Sequence, residues 1–99
     1  MHPLQPSWDR TTAHLSAARD LLALDAATLQ DVNEYLDHNE LGLALEVLVD
    51  AGEQVGDAAM EPFWSSLRAA VAEMEIGLDD PAHGNAAREV MRHLNRSSS

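Results

Sequence analysis

Residues 40 to 51 read ELGLALEVLVDA and are predicted to form the third helix of the chain. On a helical projection it is apolar nearly all round, and only a strip through Glu46 and Asp50 is clearly polar. So narrow a polar strip is typical of a helix at the centre of a bundle or one covered by a partner. Gly42 costs roughly 1 kcal/mol relative to alanine, which a close helix crossing would offset. Gly52 is expected to end the helix.

The chain before this segment shows the spacing of two further helices. Ser7 is a candidate cap for a helix over about residues 8–23, and Asp25 for a second helix that ends near His38. Apolar residues three and four positions apart define their buried faces. They are Leu15, Ala18, Leu22 and Trp8 in the first helix, and Leu29, Val32 and Leu36 in the second.

Two helices are predicted after residue 52. Pro62 suits a first helical position, and the fourth helix is expected to run to about Ile76 and end at Gly77. A fifth helix starts at either Asp80 or Asn85, the two candidate caps. No segment shows the alternation of a strand. The sequence therefore predicts an all-α fold, a compact bundle of four to five short helices.

Length and composition indicate one domain. The 99 residues divide into a flexible N-terminal arm (1–6), a single helical domain (7–96) and a frayed tail (97–99). Cysteine is absent, which excludes disulfides and thiolate metal sites. The sequence contains neither a signal-peptide pattern nor an apolar run of the ~18 residues that a membrane span needs. We expect a cytoplasmic protein.

Negative charge is concentrated in one part of the chain. Between Arg19 and Arg68 there are eleven acidic residues and no lysine or arginine, so this segment holds the whole net charge of −11. This concentration of charge creates a negative electrostatic field, which favours a cationic partner over nucleic acid or an anionic membrane. We therefore expect a surface that binds a basic protein, with neither nucleic acid nor membrane as a partner.

Patterns of catalysis and metal binding are missing. The sequence has no HExxH motif, EF-hand loop, GxSxG elbow or phosphate-binding glycine loop. The only local group of donors, Asp79, Asp80 and His83, is typical of helix caps beside a loop histidine. We expect no enzyme activity, no cofactor and no metal site.

Residues 31–52, DVNEYLDHNELGLALEVLVDAG, resemble the MafI-like family of immunity proteins of bacterial polymorphic toxin systems. In that family a helix ends at a histidine followed by a small or polar residue and an acid, and an apolar helix of the form Gly-Leu-Ala-Leu-Glu-x-Leu follows. The matching residues are Tyr35, Leu36, Asp37, His38, Asn39, Glu40, Gly42, Leu43, Ala44, Leu45, Glu46 and Leu48. Asn39 stands where glycine is as common, and both suit a corner.

The resemblance implies a small cytosolic protein that binds a cognate toxin and blocks it without doing chemistry. Toxins of such systems often include nucleases, whose active surface is usually basic because it holds phosphates. We expect a monomer that forms a stoichiometric complex, with a dimer as the other possibility. Charge and resemblance together select the candidate partner-binding residues Asp31, Glu34, Tyr35, Asp37, His38, Glu40, Glu46 and Asp50.

Other interpretations remain open at this point. Tyr35 fits either a core residue or an interface anchor, and His38 either a histidine interacting with a helix end or a partner contact. The alternative function is an acidic regulatory or scaffolding module that binds a partner helix, or itself, through residues 40–51. A third class is an enzyme or metal-binding protein that uses Asp79, Asp80 and His83.

Overall fold

The fold is a bundle of five helices. A computed structural model describes residues 5–38, 40–55, 61–77 and 80–98. The helices are α1 (Gln5–Leu21), α2 (Ala26–Asp37), α3 (Leu41–Val55), α4 (Glu61–Met74) and α5 (Gly84–Ser98). The described residues contain no strand, and the predicted all-α bundle is confirmed. Within them, no helix combines the length and apolar character needed to cross a membrane.

Helix α3 is the centre of this bundle. It contacts each of the other four helices, while α1 packs chiefly on α4, and α4 packs also on α5. Its buried face consists of Leu41, Ala44, Leu45, Leu48, Val49 and Gly52. Helix α2 lies at the edge of the bundle. Among the described helices it contacts only α3 and, less extensively, α1. The peripheral position of α2 leaves a broad side of that helix facing solvent.

The two ends of the described chain are more helical than predicted. Helix α1 begins at Gln5 instead of Trp8, with Pro6 in its first turn, where a missing N–H costs nothing. The predicted arm 1–6 therefore overlaps the helix, and its residues 1–4 lie outside the described residues. Helix α5 continues to Ser98, so residues 97 and 98 belong to a helix and not to a separate tail.

Helix α2 begins at the predicted cap. The Asp25 carboxylate accepts a hydrogen bond from the Thr28 backbone N–H at 2.7 Å. Hydrogen bonding by the Thr28 side chain, together with this backbone bond, holds the pKa of Asp25 below its usual value. Such a carboxylate satisfies one of the unpaired N–H groups of the first turn. The cap fixes the point at which the chain turns from α1 into α2.

Asp80 caps the entry to α5. Its carboxylate accepts hydrogen bonds from the backbone N–H groups of His83 and Ala82, each at 2.8 Å. These bonds lower the pKa of Asp80. A turn over residues 81–83 precedes the helix proper, which starts at Gly84, so Asn85 lies inside the helix and is not its cap.

Gly52 has a different role from the predicted one. Helix α3 continues past it to Val55, so Gly52 does not end the helix. A Cβ atom at this position would lie 2.5 Å from Cε1 of Phe63 and 2.8 Å from Cη2 of Trp64. Both rings are almost fully buried. The glycine is therefore required because the two aromatic rings of α4 pack directly on the α3 backbone.

Gly42 makes a second close approach on α3. A Cβ atom there would overlap the imidazole of His83, which lies in the turn before α5. The close approach expected at Gly42 is therefore made by a half-buried imidazole ring and not by the backbone of another helix.

Helix α4 ends earlier than predicted, and without glycine. It stops at Met74, and Glu75 adopts a left-handed backbone with φ of 57°. The N–H of Glu75 donates to the carbonyl of Ala72, and that of Ile76 to the carbonyl of Val71, both at 3.2 Å. This is the Schellman arrangement, in which glycine is the favoured left-handed residue. Gly77, the predicted end, lies two residues further on.

We expect Gly52→Ala to destabilise the protein by about 1–3 kcal/mol, because the new methyl group overpacks two buried rings. The same change at an unconstrained helix position stabilises by up to about 1 kcal/mol. Gly42→Ala is the matched control on the same helix, and a smaller cost is expected because the half-buried His83 ring can rotate away. Urea unfolding measures both variants. A Gly52→Ala variant as stable as the wild type would contradict the packing described.

We expect Glu75→Gly to stabilise the protein by roughly 0.5–1 kcal/mol, because it removes the strain of a side chain in left-handed backbone. Glu75→Ala removes the same carboxylate while keeping the strain, and it should give no such gain. Thermal or urea unfolding distinguishes the two. Equal stability of both variants would show that charge, and not backbone conformation, dominates at this position.

Candidate protein interface

The side of α2 that faces away from α3 carries exposed acids. Asp31, Glu34 and Asp37 are spaced three residues apart and are all exposed. His38 is exposed at the C-cap of α2, and Glu40 is exposed directly before the first residue of α3. We call these five residues the acidic α2 face. Asn39, predicted at the corner between His38 and Glu40, lies outside the described residues.

The corner after α2 has a defined backbone geometry. The N–H of His38 donates to the carbonyl of Glu34 at 3.1 Å, and the N–H of Glu40 donates to the carbonyl of Tyr35 at 2.8 Å. The carbonyl of Glu40 in turn accepts from Ala44 in the first turn of α3. These bonds fix the acids at the end of α2 and the start of α3 relative to each other.

The acids of this face lack internal counter-ions. The side chains of Asp31, Glu34, Asp37 and Glu40 make no ion pair or hydrogen bond with any other residue that the structure describes. The last turn of α2 also contains no basic residue, so Asp37 faces the negative end of the helix dipole. The charges of the acidic α2 face therefore destabilise the free protein.

Two arginines of α1, Arg10 and Arg19, are engaged with other groups. Arg10 on α1 pairs with Glu73 on α4 at 2.9 Å. Arg19 pairs with Asp20 at 3.0 Å and also donates to the Asn33 side chain at 2.8 Å, at the inner edge of α2. The positive charge that would balance the acidic α2 face is thus not supplied by these side chains.

A shallow open groove runs along the same helix. It is lined by α2 residues at spacings of three and four, from Ala26 through Leu29, Glu34 and Asp37 to His38. The sequence predicts Leu29 in the core, but in the structure its side chain is 38% exposed. Sequence reasoning thus missed an exposed apolar residue beside the acids.

Tyr35 and His38 are placed on different sides of α2. Tyr35 is half-buried and packs against the hydrophobic core, so its ring already contributes to the fold. His38 is solvent-exposed at the helix end, where a protonated imidazole would interact favourably with the dipole. Of the two, His38 is the more accessible to a partner.

Glu46 and Asp50 lie in a separate groove. It runs between α3 and α5 and is lined by Glu46, Val49, Asp50, Glu53, Asn85, Ala86 and Glu89. Oε2 of Glu46 lies 3.7 Å from Nδ1 of His83. The predicted binding residues are therefore divided between two grooves: Glu34, Asp37 and His38 share one, and Glu46 and Asp50 share the other.

A group of donors at the second groove was not predicted. One ligand atom each from Glu53, Glu89 and His93 lies within 4.8 Å of the others. Partial burial and the neighbouring Glu89 raise the pKa of Glu53, while Arg92 opposes this shift. Arg92 pairs with Glu89 and lies 4.0 Å from Oε2 of Glu53. The i, i+4 spacing of Glu89 and His93 is visible in the sequence, but their proximity to Glu53 depends on how α5 packs on α3.

Two of the three local donors noted in the sequence, Asp80 and His83, belong to the described residues. Asp80 is used as a cap, and His83 packs against Gly42 and near Glu46. Asp79 lies outside the described residues.

No protein-family model, no curated protein and no solved structure matches the chain. The resemblance of residues 31–52 to MafI-like immunity proteins therefore stays a prediction that rests on those residues.

We expect the triple variant Asp31→Asn, Glu34→Gln, Asp37→Asn to be more stable than the wild type at low salt. It removes two like-charge pairs at i, i+3 spacing, each worth about 0.2–0.5 kcal/mol. The gain should shrink in 1 M salt, where the Debye length falls to about 3 Å. Glu73→Gln is the matched control, because it removes an acid that has the partner Arg10. A triple variant less stable than the wild type would contradict the idea that these charges strain the fold.

Proposed function

We propose that the protein is an immunity protein that binds a cognate toxin domain with a basic surface and neutralises it by stoichiometric occlusion. The observation that carries this proposal is the acidic α2 face, whose carboxylates are exposed and without counter-ions among the described residues. The resemblance of the same segment to MafI-like immunity proteins supports it independently. The proposal requires no chemistry from this chain.

The energetics of the face favour a cationic partner. Asp37 lies at the negative end of the α2 dipole, in a last helical turn without a basic residue, so its carboxylate lowers the stability of the free protein. Arginine or lysine side chains of a toxin would remove that cost on binding. Charge complementarity of this kind raises the association rate and sets specificity.

The groove provides the apolar contact that a lasting complex needs. Long-lived complexes depend on a desolvated centre, and charges at a rim contribute little. Leu29 is exposed in the groove beside Glu34 and Asp37, so an apolar side chain of the toxin would pack there with basic residues around it. Tyr35 contributes its remaining exposed edge. A standard interface of about 800 Å² per partner would extend beyond α2 to the corner at Glu40.

A nuclease is one toxin that fits this chemistry, because its active surface must bind phosphates and is therefore basic. An acidic protein that covers such a surface presents negative charge in place of the phosphates of the substrate. We place this action in the cytoplasm, where a toxin would meet its target, and the absence of cysteine fits a reducing compartment.

The rival proposal is a scaffolding module that binds a partner helix or itself through α3. It rested on how apolar α3 is, and the central position of α3 now explains most of that character. Leu43 and Val55 remain exposed, at 41% and 42%. Light scattering separates the two ideas: a dimer that is insensitive to salt supports the rival, and an acidic monomer supports the immunity proposal.

We expect the double variant Asp37→Arg, Glu40→Arg to bind the toxin at least about 100-fold more weakly, because like charges across an interface cost several kcal/mol. The salt dependence of binding should also decrease. The toxin is sought as the C-terminal domain encoded by the neighbouring gene, and titration calorimetry measures the affinity.

The control is Glu61→Arg, Glu75→Arg, which changes the net charge equally at two exposed acids of α4 and its C-terminal end. It should retain most of the affinity. If both double variants bind equally well, the site is not on α2, and if no neighbouring toxin binds at all, the proposed function is wrong.

A further inference from the structure

The second groove contains a set of side chains suited to a metal ion. Glu89 and His93 lie four residues apart on α5, so both project from the same face of that helix. Glu53, near the end of α3, faces them across the groove. One ligand atom of each residue lies within 4.8 Å of the other two. Donors from two helices thus converge on one point.

The imidazole of His93 is held in place by a buried ring. It stacks on Trp64 with a centroid distance of 3.9 Å and an interplanar angle of 2°. Trp64 is itself fixed against Gly52 and Phe63. A ligand whose orientation is already set loses less entropy when an ion binds, which is how neighbouring groups strengthen metal sites.

The two carboxylates can adjust to an ion. The side chains of Glu53 and Glu89 are 36% and 31% exposed, so each can rotate toward a shared centre. Ligands of a tetrahedral ion with bonds of about 2.0–2.1 Å are about 3.4 Å apart, which requires only a small closure of the present spacing. Imidazole with carboxylates favours zinc and related transition metals, whereas calcium and magnesium prefer oxygen ligands alone.

We propose that Glu53, Glu89 and His93 bind one divalent transition-metal ion, for which zinc is the best match, with water in the remaining position. In the metal-free protein Arg92 acts as the counter-ion of the two carboxylates. Its side chain is 57% exposed and can move into solvent when the ion binds. Such an ion would clamp the C-terminal part of α3 to α5. The proposal is independent of the toxin-binding function, because it uses none of the acidic α2 face.

Zinc titration of the full chain by isothermal calorimetry tests the site. We expect one zinc ion per chain, and a weakening of more than about 100-fold in Glu53→Gln and in His93→Gln, beyond the effect of losing an outer-shell partner. His14→Gln is the matched control, a half-buried histidine of α1 outside the group. It should bind zinc as the wild type does.

The variant Arg92→Gln provides a second test of the site, which is needed if His93→Gln folds poorly. It leaves all three ligands in place and removes the competing cation, so zinc affinity should rise several-fold. Zinc should also raise the unfolding temperature of the wild type and not that of Glu53→Gln. No saturable binding, equal binding by Glu53→Gln and the wild type, or an unchanged or weaker affinity of Arg92→Gln would overturn the proposal.

Discussion

Phe63 and Trp64 pack on the backbone of α3 at Gly52, at the centre of the bundle. This packing brings α4 directly against α3, and Trp64 extends the contact to His93 on α5. Three helices are thereby joined around one small residue. The remaining buried surface of α3 is aliphatic and packs against α1 and α2 as well. A helix in contact with four others can bury apolar residues on most of its surface, which accounts for the composition of residues 40–51 apart from the exposed Leu43.

Centring the bundle on α3 leaves α2 at its edge. Val32 and Leu36 anchor α2 to the core, while its outer side carries acids that no described base neutralises. The physical cost of these charges and their accessibility are the reasons for assigning partner binding to α2. The acids of the α3–α5 groove differ, because Arg92 and two histidines lie among them.

The sequence predicts the structure correctly where interactions between neighbouring residues determine it. Asp25 is predicted as the cap of α2, and Asp80 as one of two candidate caps for the fifth helix. In the structure both carboxylates accept hydrogen bonds from backbone N–H groups within three residues. The predictions fail where packing between distant parts of the chain determines the structure. Gly52 has the sequence pattern of a helix end, but the rings that pack on it come from α4. Leu29 has the spacing of a core residue, but its side chain is exposed. Glu75 ends α4 although glycine stands two residues later. Glu53 comes close to Glu89 and His93 only because α3 packs on α5. No sequence spacing reveals that packing.

We propose a different role for each of two surfaces: partner binding for the acidic α2 face, and metal binding beside the α3–α5 groove. NMR chemical-shift mapping of the ¹⁵N-labelled protein, on addition of the toxin domain encoded by the neighbouring gene, tests the first role. We expect the largest shifts on residues 26–38 and on Glu40, with small changes along α5. Shifts concentrated on α4 or α5, with α2 unaffected, would show that α2 is not the binding surface.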